Sequence, residues 1–366
     1  MKVPYLFLQY ENKELIDELT NAARECFKES KFILGPNVGK FEKNLSEYIG
    51  VNFAIGVNSG TDAILLSLMA NNVGNGDEVI TVANSFIATS NVIKLLHAEP
   101  VFVDIKDNLL IDENLFEEKI SEKTKAIIPV HLTGKPANMT KITKIADEYN
   151  IPVIEDCAQA IGAKWDEKKV GSFGIGCFSL HPLKNLSACG DGGIITTNDK
   201  EFYEKISKLR NHGLKDRNTI IMPGLNSRLD ELQAAVLNVK RKYLDRTIKK
   251  RRELANKYKE LFKEKSMIDL LYFPYDTKNE FSVYHTYVVR VNKRDKLMKH
   301  LSEKGIETKI HYPKSIHRQK PYENNRYSLP KTELFEKQIL SLPIHQYLNF
   351  EQIEYVVNSM REFYGK

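Results

Sequence analysis

Hydrophobic and polar positions in the first 200 residues follow two alternating patterns. Short runs rich in β-branched residues predict strands, and stretches with apolar residues every three or four positions predict helices. The predicted strands are residues 53–57, 78–82, 99–104, 126–130, 153–155, 177–179 and 193–197. The predicted helices are residues 13–29, 62–70, 87–96, 139–149 and 203–209. Strands alternating with helices predict an α/β fold, with a mostly parallel seven-stranded sheet flanked by helices.

The pattern changes after residue 230. Residues 230–262 are helical in pattern and heavily charged, and we interpret them as a long, partly solvated helix that links two domains. Residues 281–290 alternate like a strand, whereas residues 293–304 and 350–364 have helical patterns. The chain has 366 residues, and single cores stop growing at about 250–300 residues. We therefore predict a large α/β domain over residues 1–245 and a smaller α+β domain over residues 246–366.

Composition narrows the class of protein. The chain is 42% hydrophobic and 28% charged, with a formal net charge of +6 that suits an anionic ligand better than nucleic acid. The first residues lack a signal peptide's apolar stretch, and no run approaches the about 18 apolar residues of a membrane span, so we expect a cytoplasmic protein without a membrane partner. Cys26, Cys157, Cys177 and Cys189 are widely spaced without C-x-x-C, which predicts free thiols and no metal site.

An acid and a lysine give the first indication of chemistry. Asp156 ends a short apolar strand, and Lys184 follows 28 residues later. Pyridoxal phosphate (PLP) needs a carboxylate that keeps its pyridine nitrogen protonated and a lysine amine that binds its aldehyde as a Schiff base. The pair alone is a weak signal, because most of the 54 Lys and Arg residues must be solvated surface cations.

Further motifs lie where predicted strands end. Residues 56–63, GVNSGTDA, lead from a strand into a helix, and such a helix N-terminus binds phosphate; a plain N-cap at Ser59 or Thr61 is the alternative. Phe86 follows the next strand, where an aromatic ring either stacks on a pyridine ring or packs in the core.

Two more polar residues fit the same site. Gln159 lies three residues after Asp156, so on a helical turn both side chains share one side. Ser179 ends a strand, and its hydroxyl either donates to a phosphate or bonds the backbone.

Together, these segments resemble a known family, the sugar aminotransferases of the DegT/StrS type. The segments are GVNSGTDA (56–63), NSFIAT (84–89), EDCAQA (155–160), HPLKNL (181–186) with GDGG (190–193), and NSRLDELQAA (226–235). The resemblance extends over nearly the whole chain. It implies a fold type I PLP enzyme that works as a homodimer, with glutamate as amino donor and a nucleotide-linked keto-sugar as acceptor.

The resemblance also implies roles for single residues. Lys184 is the Schiff-base lysine, Asp156 pairs with the pyridinium, Gln159 bonds the phenolic oxygen and Phe86 packs on the ring. Gly60, Thr61 and Ser179 hold the phosphate. Asn226 reaches the phosphate of the neighbouring subunit's cofactor, so that each active site is composite.

The chain departs from the family pattern near its substrate contacts. Thr133 stands where the family often has Tyr, and His181 lies in a stretch before the lysine that commonly reads F-S-F-x-P-T-K. His181 either contacts the sugar or has a local structural role. The further candidates for substrate contact are Arg228, His311, Tyr312, Lys314 and His317, although each histidine taken singly is more often structural.

The sequence is therefore interpreted as a PLP-dependent aminotransferase that acts on a nucleotide-linked keto-deoxysugar. The segment 226–230 favours amination at C3 of a dTDP-3-keto-6-deoxyhexose, in amino-sugar biosynthesis for a surface polysaccharide or glycoconjugate. Amination of a 4-keto sugar is the alternative. Less favoured are a sugar 3-dehydratase that uses pyridoxamine phosphate, which would carry histidine in place of Lys184, and a non-catalytic PLP-binding regulator.

Overall fold

The structure of the protein is a computed structural model that describes residues 1–7, 13–323 and 327–365. Its α-helices are α1 (Lys13–Glu29), α2 (Pro36–Ile49), α3 (Gly60–Ala70), α4 (Ala88–Leu95), α5 (Met139–Glu148), α6 (Lys200–Leu209), α7 (Glu231–Arg241), α8 (Leu244–Glu264), α9 (Arg294–Glu303), α10 (Pro330–Glu336) and α11 (Phe350–Phe363). Short 3-10 helices span Glu113–Leu115, Leu132–Gly134, Ile316–Arg318 and Lys320–Tyr322.

The strands in the first half of the chain are β1 (Phe53–Val57), β2 (Glu78–Val82), β3 (Glu99–Val103), β4 (Thr124–Ile127), β5 (Ile154–Asp156), β6 (Lys164–Trp165), β7 (Lys168–Lys169), β8 (Ile175–Ser179) and β9 (Gly193–Thr197). Those in the second half are β10 (Leu214–Asp216), β11 (Thr219–Ile220), β12 (Leu271–Tyr272), β13 (Glu280–Phe281), β14 (Tyr287–Val291) and β15 (Ile339–Leu342).

Seven strands form the central sheet in the order β3-β2-β4-β5-β8-β9-β1. The two halves meet between β4 and β5, where Ile127 pairs with Val153 and Val130 with Asp156 in parallel register. Strand β9 runs antiparallel to both of its neighbours, and the other adjacent pairs are parallel. The predicted mostly parallel seven-stranded sheet is confirmed. Strands β5 and β8 are parallel, so their carboxyl ends lie at the same edge of the sheet, where ligands bind in such folds.

Both faces of this sheet are buried. Within β9, Ile194 packs against α2 and α7, whereas its neighbour Ile195 packs against α3 and α6. Cys177 and Phe178 in β8 divide between the faces in the same way. Successive side chains of a strand point to opposite faces, so helices on both sides bury each strand completely.

The C-terminal part has its own core, in which the β12-β14-β15 sheet packs against α8, α9 and α11. Tyr258 and Tyr287 stack at its centre, with ring centroids 4.7 Å apart. Val3 is buried in the same cluster, so the N-terminal segment packs against C-terminal elements. The domain boundary between residues 245 and 246 stays a prediction. In the described part of the chain, no helix is long and apolar enough to cross a membrane.

Two local predictions were incomplete. The expected long helix over 230–262 is interrupted at Lys242 and Tyr243, which gives α7 and α8. The expected strand over 281–290 splits into β13 and β14, because the backbone between them turns at Tyr284, whose φ is +46°.

Helix α2 was not predicted, and its start depends on a distant residue. The buried carboxylate of Glu231 accepts hydrogen bonds from the amides of Asn37 (2.6 Å) and Val38 (3.1 Å). Such an anion satisfies free N–H groups at a helix N-terminus. The stabilising group lies on α7, so the local sequence contains no side-chain cap for this helix.

Candidate active site

Asp156 lies at the carboxyl end of β5 and is 5% exposed. One carboxylate oxygen accepts a hydrogen bond from the Thr89 hydroxyl at 2.7 Å, and the other from the amide of Ala158 at 3.1 Å. Ser85 in turn contacts the Thr89 hydroxyl at 2.9 Å. These bonds fix the orientation of the carboxylate. Thr89 belongs to the NSFIAT segment, but no role was predicted for it.

Lys184 follows β8, the strand next to β5, in a turn closed by the hydrogen bond from its amide to His181 O (2.8 Å). Burial lowers the pKa of the Lys184 amine to about 8, although the negative charge of Asp156 acts in the opposite direction. An amine with this pKa is about one-tenth neutral at pH 7, far more than an ordinary lysine. No described side chain accepts a hydrogen bond from its Nζ. Lys184 is therefore a suitable nucleophile for an aldehyde.

Gln159 connects two other parts of the site. Its Oε1 accepts a hydrogen bond from the Thr133 amide at 2.7 Å, and its Nε2 donates to the Tyr312 hydroxyl at 3.1 Å. The ring of Tyr312 lies 5.8 Å from that of Phe86, which is 55% exposed. The structure thus joins Gln159, Phe86 and Tyr312. Thr133, which stands where the family often has Tyr, contacts Gln159 through its backbone amide. Any residue except proline provides this group.

The predicted phosphate residues also meet. Gly60 begins α3 directly after the N-cap Ser59, whose hydroxyl accepts a hydrogen bond from the Asp62 amide at 3.1 Å. A Cβ atom on Gly60 would lie 2.7 Å from Cβ of Ser179 at the end of β8, so only glycine allows this approach. Gly60, Thr61 and Ser179 therefore lie around one helix N-terminus, a favourable place for an anion.

Three histidines lie near Lys184, and the charges of His311 and His181 both act on the third, His285. Burial, and then the charge of Lys184, lower the pKa of His311 to about 4; its Nδ1 contacts the Ser341 hydroxyl at 2.8 Å. Burial, followed by the charges of Lys184 and Arg251, holds the pKa of His285 well below its ordinary value. His181 is exposed, and its Nδ1 accepts a bond from the Leu183 amide at 3.3 Å. His285 was missed because its segment resembles a plain strand.

Four other candidate residues do not lie around Lys184 in the described part of a single chain. His317 is buried, and its Nε2 contacts Glu333 at 3.3 Å, which gives it a structural partner. Lys314 is exposed, and Arg228 donates to Asn211 Oδ1 at 3.0 Å. Asn226 is exposed, and its backbone pairs with that of Asn211.

One buried cluster has the residue types of a metal site, namely His131, Glu155 and Cys157. The Glu155 carboxylate, however, already accepts hydrogen bonds of 2.8–3.0 Å from three backbone amides, those of Gly171, Phe173 and Gly174. His131 Nε2 contacts the same carboxylate, and its Nδ1 accepts from the Ala137 amide. These bonds account for the cluster as a structural link beside Asp156, and the absence of a metal site stays a prediction.

Comparisons with known proteins agree on one family. The model of the DegT/DnrJ/EryC1/StrS aminotransferase family matches residues 13–361. A relative from Geobacillus stearothermophilus named pleiotropic regulatory protein is 44% identical over 100% of this chain and 99% of its own. The dTDP-3-amino-3,6-dideoxy-alpha-D-galactopyranose transaminase of Aneurinibacillus thermoaerophilus is 41% identical over 99% of both chains. The crystal structure of S. venezuelae DesV with a ketimine intermediate superposes with a TM-score of 0.96 at 36% identity, covering 100% of this chain and 99% of that one.

The protonation of Lys184 provides a test of the site. In the cofactor-free protein, burial should give its amine a pKa of about 8, measurable from the pH dependence of reductive methylation followed by peptide mapping. Asp156→Asn should lower this pKa further, because it removes the negative charge that favours the ammonium form. Lys43, whose side chain is 78% exposed, serves as the solvent-exposed control. A Lys184 that titrates like Lys43, or a pKa that rises in Asp156→Asn, would contradict this description.

Proposed function

The chain belongs to the DegT/DnrJ/EryC1/StrS aminotransferase family, and from this premise we propose that it transfers the amino group of L-glutamate to C3 of dTDP-3-keto-6-deoxyhexose. At the coarser level it is a PLP-dependent aminotransferase of nucleotide-linked sugars. The observation that carries the proposal is the placement of the buried Asp156 at the end of β5 and of Lys184 in the turn after the adjacent strand β8, close enough for the two charges to interact.

The residues at this strand edge fit PLP. Phe86 presents an exposed ring beside Tyr312, which suits a flat aromatic ligand, and the N-terminus of α3 suits its phosphate. We assign the phosphate to Gly60, Thr61 and Ser179, the ring to Phe86 and the phenolic oxygen to Gln159. When bound, PLP supplies an electron sink for the bonds at the donor's α-carbon.

Each remaining role belongs to a side chain. With PLP bound, the negative charge of Asp156 would keep a proton on the pyridine nitrogen, and the hydrogen bonds from Thr89 and Ala158 hold this carboxylate in place. Lys184 would accept a proton from the donor's α-carbon and later return one to the sugar carbon. Glutamate leaves as 2-oxoglutarate, and the ketone oxygen of the sugar is replaced by the amino group.

The choice of substrate rests on two observations. The relative from A. thermoaerophilus is named for a dTDP-linked 3-amino sugar, and the segment NSRLD resembles enzymes that aminate C3. Amination of a nucleotide-linked 4-keto-6-deoxyhexose is the alternative. The product would serve as a precursor for a surface polysaccharide or glycoconjugate.

A regulatory role is the second candidate, because the relative from G. stearothermophilus is named a pleiotropic regulatory protein. Lys184 and Asp156 are both present here, and a protein that only binds PLP needs no proton-transferring lysine. A sugar dehydratase is disfavoured for the same reason, because a lysine occupies position 184. Glutamate-dependent formation of an amino sugar therefore separates the candidates.

We also propose that the active enzyme is a homodimer with composite sites. Asn226 is exposed in the single chain, so its side chain is available for a contact with a partner subunit's cofactor. Nearby Ile220 and Ile221 are 68% and 48% exposed, and Phe32 and Ile33 are 46% and 50% exposed. Exposed apolar side chains of this kind favour a protein interface.

The proposed reaction is tested with nucleotide-linked 3-keto and 4-keto-6-deoxyhexoses, glutamate and mass detection of amine products. The wild type should aminate the 3-keto sugar, and borohydride should attach PLP to Lys184. Lys184→Ala should bind PLP without turnover. Asp156→Asn should lose more than 90% of turnover, because retaining a tenth would mean that Asp156 supplies less than about 1.4 kcal/mol of transition-state stabilisation. Labelling of another lysine, or turnover in Lys184→Ala, would remove the assignment.

Mixed dimers test the composite site. Asn226→Ala should weaken cofactor retention without unfolding the chain, and Lys184→Ala should be inactive. In heterodimers of the two variants, one site carries both defects and the other carries neither. Activity should rise above that of either parent, toward half of the wild-type value per heterodimer. If subunits exchange and activity stays at the parental level, Asn226 acts within its own chain.

A further inference from the structure

A small cavity lies directly beside Lys184. Lys184, Arg251, His345 and Gln346 line it, together with Leu6, Phe7 and nearby residues of the lysine turn, and we refer to it as the Arg251 cavity. Apart from Lys184, its lining includes none of the residues assigned to PLP. Its volume is about 70 Å³, and a cavity measured in this way needs only about 10–15 Å³ to hold one water molecule. The space is therefore sufficient for a carboxylate group.

Arg251 carries a buried positive charge that no acidic group in the described residues neutralises. It is 6% exposed, and its Nη1 donates to the carbonyl oxygens of Tyr284 (3.0 Å), His285 (3.1 Å) and Ile344 (2.9 Å). No carboxylate in the described part of the chain forms an ion pair with it, and its Nε has no hydrogen-bond partner. Arg210, which is also buried, pairs with Glu42. An unpaired buried guanidinium is costly, and an anionic ligand would remove this cost.

Two further polar atoms at the cavity can accept hydrogen bonds. Within the described residues, Nδ1 of His345 and Oε1 of Gln346 have no hydrogen-bond partner. Nε2 of His345 contacts the Pro4 carbonyl oxygen and burial lowers the pKa of the ring to about 4, so the ring is neutral and its Nδ1 is an acceptor. These two atoms suit an N–H group or a water molecule, and the positive charge that an anion would meet at the cavity comes from Arg251 and Lys184.

We propose that the Arg251 cavity binds a carboxylate of the amino-acid donor, with Arg251 as its charge partner. The inference rests on the proposed aminotransferase function and specifies how the donor is recognised. A donor's amino group must reach the position of Lys184, and its α-carboxylate is attached to the same carbon as that amine. The sugar acceptor differs, because its ring is uncharged and has no carboxylate beside the reacting carbon.

The test measures 2-oxoglutarate binding by calorimetry to the PLP holoenzyme. Arg251→Lys should weaken binding at least about 10-fold, because an ammonium group cannot reproduce the planar two-donor contact of a guanidinium with a carboxylate. Gln346→Glu keeps the backbone contacts of Arg251 and adds a competing carboxylate at the cavity wall, so it should weaken binding by at least about 10-fold. Arg252→Lys is the matched control, because Arg252 pairs with Asp276 on the same helix.

The two halves of the reaction are then measured separately in single turnovers. Both cavity variants should slow formation of 2-oxoglutarate from L-glutamate. Amination of the keto-sugar by protein reconstituted with pyridoxamine phosphate should stay within about twofold of wild type. With 4-aminobutyrate or L-norvaline as donor, each of which lacks one carboxylate of glutamate, the penalty of Arg251→Lys should vanish for the donor whose missing carboxylate the cavity holds.

Normal 2-oxoglutarate binding in both variants would overturn the inference. Equal loss in both half-reactions with a lowered melting temperature would also overturn it, because Arg251 would then be a scaffold residue. If Arg251→Lys fails to fold, the 2-oxoglutarate binding of Gln346→Glu tests the inference in its place. A wild type that binds 2-oxoglutarate in an Arg251-dependent manner but aminates no keto-sugar would support the cavity and contradict the proposed acceptor.

Discussion

The proposed chemistry depends on the balance between burial and charge at Lys184. Removal from water favours the neutral amine, whereas Asp156 favours the ammonium form, and burial is the larger effect. This balance exists because parallel pairing of β5 and β8 brings the ends of two strands to one sheet edge. Asp156 in turn keeps its orientation through Thr89, the second residue of α4, which follows a third strand, β2. In the proposed function, the arrangement of strands thus sets the reactivity of one amine.

The sequence predicted those features that depend on residues close to one another along the chain. The alternation of strand and helix predicted the seven-stranded sheet because each segment carries its own hydrophobic period. Four candidate residues could be named because each lies at the end of a predicted strand or shortly after it, where ligands bind in this fold. They are Lys184, Asp156, Gly60 and Ser179. Gln159 was found from its spacing to Asp156, and the structure adds its contacts with Thr133 and Tyr312.

The remaining features depend on contacts between distant segments. Helix α2 starts on the carboxylate of Glu231, which lies nearly 200 positions away, so no local signal marked it. Arg251 looked like one more surface cation in a charged helix, yet its guanidinium is buried against residues 284, 285 and 344. His285 lies in an apparent strand. Such residues gain their roles only when the C-terminal elements pack beside the lysine turn.

The transfer of nitrogen is the central claim, and isotope labelling measures it most directly. The holoenzyme is incubated with ¹⁵N-labelled L-glutamate and the nucleotide-linked 3-keto-6-deoxyhexose, and the sugar product is analysed by mass spectrometry and NMR. The account predicts one ¹⁵N atom per product molecule, bonded to C3, and an equal amount of 2-oxoglutarate. A sugar that remains unaminated while 2-oxoglutarate forms, or a sugar product that contains no ¹⁵N, would contradict it.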